Sequence, residues 1–141
     1  PQGNYLMSGT IRDVVTFADP DRMKEDEAIW NALSIACADE FVRKLEHGLD
    51  SVLGERGTGL SEGQMQRLAI ARAIFSGCPV LILDECSSAL DEDMEGRLLQ
   101  NLRAMTDKTV VIITHRPAAL QICDRIWKVD DKIALTRGEH H

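Results

Sequence analysis

Several absences bound this chain before any motif is weighed. No G-x-x-x-x-G-K-[ST] occurs in its 141 residues, so it holds no glycine loop of the kind that cradles phosphates. No apolar run approaches the roughly 20 residues needed to cross a bilayer, which excludes a membrane-spanning helix. The four cysteines, Cys37, Cys78, Cys86 and Cys123, show no C-x-x-C spacing. A metal or disulfide framework is therefore unsupported, and small apolar core fillers in a reduced setting fit better. Basic residues are in the minority, 16 against 23 acidic for a net charge of −7, which disfavours a phosphodiester-binding surface and so a nucleic-acid partner. Internal repeats, low-complexity stretches and heptad runs are missing too. The chain opens on Pro1-Gln2 without a charged leader, so no secretory signal is expected there and the sequence reads as a piece of a longer polypeptide. The closing His140 and His141 are not assigned to metal.

What is present suits one folded domain: 44% hydrophobic residues can bury a core. Residues 10–18 predict a short helix, ended by Asp19-Pro20-Asp21. From 21 to 45 the pattern is helical, with Ala28, Ile29, Ala32, Leu33, Ile35 and Ala36 on one face, continued by Phe41, Val42 and Leu45. Gly48, Gly54, Gly57 and Gly59 make 47–59 an extended loop. A helix is expected over 62–75, closed by Ser76-Gly77 and Pro79. Strands follow at 80–83 and 109–114, with a helix between them from 92 to 105 that turns Met94, Leu98, Leu102 and Met105 inward. A short helix at 117–122 and a hairpin of 125–129 with 132–135 complete the layout.

Within this layout the segment VLILDE, residues 80–85, is the most informative. It reads as a buried strand delivering Asp84 and Glu85 to its carboxyl end, where open α/β sheets bind ligands. The period of two sends the carboxylates to opposite sides. Capping of a neighbouring helix is the bland alternative. Upstream, Ser61-Glu62-Gly63-Gln64 forms a capping box, Ser at N-cap and Gln at N3, with Leu60 and Met65 at staple positions. That reading needs no ligand, yet a helix N-terminus with free N–H groups is also an anion site. Asp91 is a good N-cap for the helix after it. His115 is a lone histidine ending an apolar strand.

The order of these segments resembles the nucleotide-binding domain of ABC transporters: LSEGQ as signature motif, LILDE as Walker B, SALD as D-loop and His115 as switch histidine. The likeness runs through essentially the whole chain. It implies an α/β fold, the C-terminal part of a RecA-like P-loop NTPase core with the ABC helical subdomain. Residues 1–75 would be the end of the Q-loop and the helical subdomain, and 76–141 the C-terminal half of the ATPase core.

The resemblance also implies roles. Asp84 would hold Mg²⁺ through water and Glu85 would orient and polarise the attacking water. His115 would hydrogen-bond the γ-phosphate of ATP. Gln2, in the Q-loop position, would contact Mg²⁺ and relay nucleotide state. Ser61, Gly63 and Gln64 would meet the γ-phosphate held by a second nucleotide-binding domain, with Ser61 giving its hydroxyl and Gly63 its N–H. Asp91 would contact that same partner. Glu62 departs from the usual LSGGQ, and helical geometry is expected to aim it aside. Cys86, where the family has a small residue, reads as a filler. Residues 6–15 (LMSGTIRDVV) and the GERGTG loop, 54–59, resemble exporters, the loop being the one that touches the transmembrane domain. The setting implied is the cytoplasmic face of the membrane. In this reading the chain is part of an ATPase and is expected to be inactive without the remainder. Two other readings are a nucleotide-free helical module docking on a membrane domain, and a soluble ABC ATPase.

Overall fold

Thr10 and Asp13 begin the first helix by satisfying each other. The Thr10 hydroxyl accepts the Asp13 N–H at 3.0 Å and the Asp13 carboxylate accepts the Thr10 N–H at 3.0 Å, which removes two of the orphan donors of a helix start. This computed structural model describes residues 9–54, 59–85, 88–129 and 135–139. Helix α1 (Ile11–Val15) is preceded by a two-residue strand β1 (Gly9–Thr10), which pairs antiparallel with β2 (Val52–Leu53). The extended loop expected at 47–59 thus carries a 3₁₀ turn, Gly48–Asp50, and a short strand.

The helical stretch expected over 21–45 is broken. A 3₁₀ turn at Pro20–Arg22 leads to α2 (Asp26–Ile35) and then α3 (Asp39–Arg43). Between α2 and α3 Cys37 takes φ 60°, and the Ala38 N–H reaches back to the Leu33 carbonyl at 2.7 Å. A left-handed non-glycine residue costs roughly 1–2 kcal/mol, so packing must hold it. Ile29, Ala32 and Leu33 from α2, Cys37, Ala38 and Val42 are all buried with Ile11, Val14 and Val15 of α1. The long helix α4 (Glu62–Phe75) packs against α1 and α2. Its bounds are those read from the sequence, with Gly77 at φ 74° just past its end.

The second half is built on two parallel strands, β3 (Val80–Asp84) and β4 (Thr109–Ile113), in register from Val80↔Thr109 to Asp84↔Ile113. Helix α5 (Glu92–Arg103) connects them, and α6 (Pro117–Gln121) follows β4. Leu81 and Leu83 point into the core with Leu98, Leu99 and Leu102. The other face of the sheet shows Val80, Ile82, Val111 and Ile113, 43–66% exposed. Met94 and Met105, expected inward, are only partly buried against this core, and Leu99 and Glu95 take the fully buried places. The final hairpin pairs β5 (Arg125–Val129) with β6 (Leu135–Glu139). The register opposes Val129 to Leu135, and residues 132–134 of the expected second strand lie outside the described residues. Among the described residues β4 pairs with β3 alone, and the hairpin forms its own two-stranded sheet.

Candidate functional site

Two clusters emerge. One lies at the carboxyl ends of the parallel strands. Asp84 ends β3 and is exposed. Glu85 leaves the strand at φ 50°, a conformation that favours glycine and costs of order 1–3 kcal/mol in other residues. Two backbone bonds hold it there: its N–H donates to the Ile113 carbonyl at 2.8 Å, and its carbonyl accepts from the Ser88 N–H at 3.3 Å. This left-handed turn aims the carboxylate along the sheet end toward β4. Its Oε1 lies 3.2 Å from Nδ1 of His115, whose side chain is 86% exposed. The pair is a close contact between an imidazole nitrogen and a carboxylate oxygen at the sheet end. The structure therefore brings Glu85 and His115 together, from neighbouring strands, with Asp84 next in the chain.

The second cluster is at the start of α4. The capping box forms as read: Ser61 Oγ accepts the Gln64 N–H at 3.1 Å and Gln64 Oε1 accepts the Ser61 N–H at 2.9 Å. Glu62 is exposed while Gly63 is buried. What buries Gly63 is the SALD turn: a Cβ added there would lie 2.9 Å from the Ala89 carbonyl oxygen and 3.1 Å from Leu90 Cδ2. The glycine thus has a packing reason, independent of any ligand. Asp91 caps α5, its Oδ1 accepting the Met94 N–H at 2.8 Å.

Residues that sequence reading passed over join these pieces. Gln66 spends both ends of its amide on the SALD turn, donating to Ser88 Oγ at 2.9 Å and accepting the Ala89 N–H at 3.3 Å. Arg67 donates to the Gly63 carbonyl at 3.2 Å and the Cys37 carbonyl at 2.8 Å, over the Phe41 ring at 5.2 Å. Burial pushes its guanidinium pKa down from the ordinary value. Arg116 pairs in two-pronged fashion with Glu95, and this hydrogen-bonded partner raises the arginine's pKa. Only Glu95 left a trace in the sequence. It stands three and four residues before Leu98 and Leu99 on the apolar stripe of α5, where a carboxylate is out of place. Gln2, Cys86 and positions 55–58 of the GERGTG loop lie outside the described residues.

The comparisons with known proteins agree with this layout. The family model described as "ABC transporter" matches residues 7–88. The chain is 42% identical over 140 residues, 99% of its length, to an "ATP-dependent lipid A-core flippase" of Vibrio parahaemolyticus. It is 43% identical over 137 residues to the protein of the same name in Haemophilus ducreyi. These matches span about a quarter of the relatives' length, 24% and 23%. Among solved structures, a bacterial Atm1-family ABC exporter with ATP bound superposes with a TM-score of 0.83 at 30% identity, over 95% of this chain and 23% of that one. The mixed helix–strand architecture with its sheet-end acids is that of a P-loop NTPase, and the chain belongs to the ABC transporter family as part of its ATPase domain.

Proposed function

We propose that this chain forms part of the ATP-binding and ATP-hydrolysing domain that powers an ABC exporter, acting in a nucleotide-sandwiched dimer. The observation that carries this reading is the 3.2 Å approach of Glu85 to His115 at the ends of adjacent parallel strands, the place where such sheets bind ligands. Glu85 is the base: its carboxylate, held by a rigid backbone turn, orients and polarises the attacking water. His115, exposed beside Glu85, hydrogen-bonds the γ-phosphate. Asp84, an exposed hard-oxygen donor beside them, fits Mg²⁺. Among the described residues no group of three or more His, Cys, Asp or Glu could hold a metal, and Mg²⁺ suits such a site because it binds through one or two carboxylates plus substrate phosphates. When bound, the ion supplies charge neutralisation at the β- and γ-phosphates. For Gln2, which lies outside the described residues, the family resemblance supports a contact to Mg²⁺.

Ser61, Gly63 and Gln64 serve the opposite side, against nucleotide held by a second nucleotide-binding domain. Ser61 Oγ accepts from the Gln64 N–H within the capping box, and its own O–H proton is left to donate to phosphate. The N–H groups of Glu62 and Gly63 stand at the helix start, where donors and dipole favour an anion. Asp91, capping α5, faces the same partner. In this reading residues 1–75 are the end of the Q-loop and the helical subdomain, and 76–141 the C-terminal half of the ATPase core. The helical part docks on a transmembrane domain at the cytoplasmic face of the membrane, and nucleic acid is not a partner. The flippase and exporter relatives favour an exporter. Hydrolysis requires the longer protein, since these 141 residues contain no phosphate-cradling loop.

The test is Glu85→Gln in the full-length transporter. ATP binding is expected to persist while kcat falls about 10²–10⁴-fold, the usual contribution of a positioned base. Near-normal turnover would remove Glu85 from that role.

A further inference from the structure

Glu95 is a carboxylate in a hydrophobic position. It lies at the end of the first turn of α5, on the stripe of Leu98, Leu99 and Leu102, and is 4% exposed. A charge buried there persists only with a partner that satisfies it. Arg116 is such a partner: Nε meets one carboxylate oxygen and Nη2 the other, the latter at 3.1 Å. This is the planar fork that arginine makes and lysine cannot.

Arg116 directly follows His115. The short link from β4 to α6 is pinned at several points. Ile113 ends the β4 ladder, the Arg116 N–H donates to Thr114 Oγ1 at 3.0 Å, and Pro117 fixes the first turn of α6. His115 stands at the exposed apex of this link, with its imidazole 3.2 Å from Glu85. An exposed side chain has little packing of its own to hold it, so its aim is inherited from the backbone on either side. On the upstream side that is the strand. On the downstream side it is the Arg116 fork, anchored in α5.

We infer that Arg116, through its fork onto buried Glu95, is a positioning residue for His115. It fixes the backbone so that the imidazole stays within reach of Glu85. Because Glu95 lies one turn beyond the Asp91 cap, the same pair ties the histidine to the SALD turn. This inference rests on the role proposed above for His115.

The test compares Arg116→Lys, Glu95→Gln, His115→Ala and the double variant His115→Ala/Arg116→Lys in the full-length transporter. Arg116→Lys keeps the charge and loses the fork. It is expected to lower kcat about tenfold, within the range that a misplaced catalytic group costs, with KM for ATP within about twofold of wild type, since a group needed in the transition state changes kcat rather than ground-state binding. Glu95→Gln is expected to lower kcat in the same way and supplies the measurement should the lysine variant fail to fold. The double variant should turn over like His115→Ala alone, because no imidazole remains to be aimed. Losses that multiply in the double variant, or wild-type kcat in both single variants of the pair, overturn the inference and leave the pair a purely stabilising one. Normal turnover in His115→Ala overturns instead the role of His115 on which the inference stands.

Discussion

Replacing Gly63 by alanine probes the contact on which the two clusters depend. A methyl group at this position meets the Ala89 carbonyl oxygen at 2.9 Å and Leu90 Cδ2 at 3.1 Å. The first of these is backbone and has no rotamer by which to yield. Overpacking of this kind costs about 1–3 kcal/mol. Alanine returns up to about 1 kcal/mol of helix propensity over glycine, so with that full return the net loss reaches up to ~2 kcal/mol. At ~2–4 °C per kcal/mol for a domain of this size, the ATPase domain should melt lower by up to ~4–8 °C. The methyl must also push the SALD turn away from α4, stretching the Gln66 bonds to Ser88 and Ala89 that now measure 2.9 and 3.3 Å. Calorimetry of the full-length transporter gives the first number, and ATPase assays below the melting range give the second effect as lost kcat. Trimming Leu90 to alanine should not rescue the variant, because the carbonyl remains in place. Rescue by Leu90→Ala, or an unchanged melting temperature with full activity, would refute a backbone contact between the signature helix and the SALD turn.

Three further outcomes are expected. Ser61→Ala should cost ~1 kcal/mol of stability through loss of the cap. A second, independent loss of ATP-driven dimerisation should accompany it, and intact dimerisation at the lowered melting point would reduce Ser61 to a cap. Cys37 is buried and its thiol is pushed up by burial, whereas Cys78 is exposed. Mass spectrometry after brief iodoacetamide treatment should therefore show Cys78 modified and Cys37 untouched, and early labelling of Cys37 would contradict its packing. The Asp26 carboxyl is held below its ordinary value of 3.8 by the Arg12 hydrogen bond, against a smaller opposing effect of desolvation. Its contribution to stability is thus complete above that value and disappears as pH falls through the lower folded value. Asp26→Asn should flatten the acid limb of the stability profile, measured by denaturant titration, and leave its alkaline side alone.

The parts of this fold legible in sequence are those fixed by local chemistry. Helix α4 starts at a capping box and stops at Ser76-Gly77, and its bounds were readable to the residue. Strands β3 and β4 are short apolar runs between turn residues, and they stand where that pattern put them. The break at Cys37 was hidden because apolar spacing continues across it from Ile35 and Ala36 to Phe41 and Val42. One left-handed residue changes the helix direction without changing the pattern. The second strand of the hairpin is described only from Leu135, and the expected stretch 132–134 lies outside the described residues. At the site, Asp91 and Ser61 were visible as caps. The approach of Glu85 to His115 was not, because it depends on a left-handed Glu85 and on strand neighbours separated by α5. Gln66, Arg67 and Arg116 act over sequence separations of about 20–30 residues, and polar side chains on half-exposed faces announce no partner.

Those long-range bonds form a closed ring, which gives the strained Cys37 turn a purpose. Helix α4 holds the SALD turn through Gln66, and that turn passes into α5 through the Asp91 cap. From α5, Asn101 donates to the Ile35 carbonyl at 3.0 Å and lies 3.4 Å from Cys37 Sγ, while Arg67 of α4 donates to the Cys37 carbonyl. The turn between α2 and α3 therefore offers carbonyls two residues apart to two different helices. In a continuous helix both carbonyls would already accept an N–H from their own helix. The left-handed residue frees them, and the bonds from Arg67 and Asn101 offset its cost. Rotation of the helical half against the sheet must then break a hydrogen bond to Ile35 or Cys37, or carry the SALD turn and α5 along. Glu95 of α5 in turn grips the residue next to His115, so the ring of contacts extends to the sheet end where Glu85 and His115 meet.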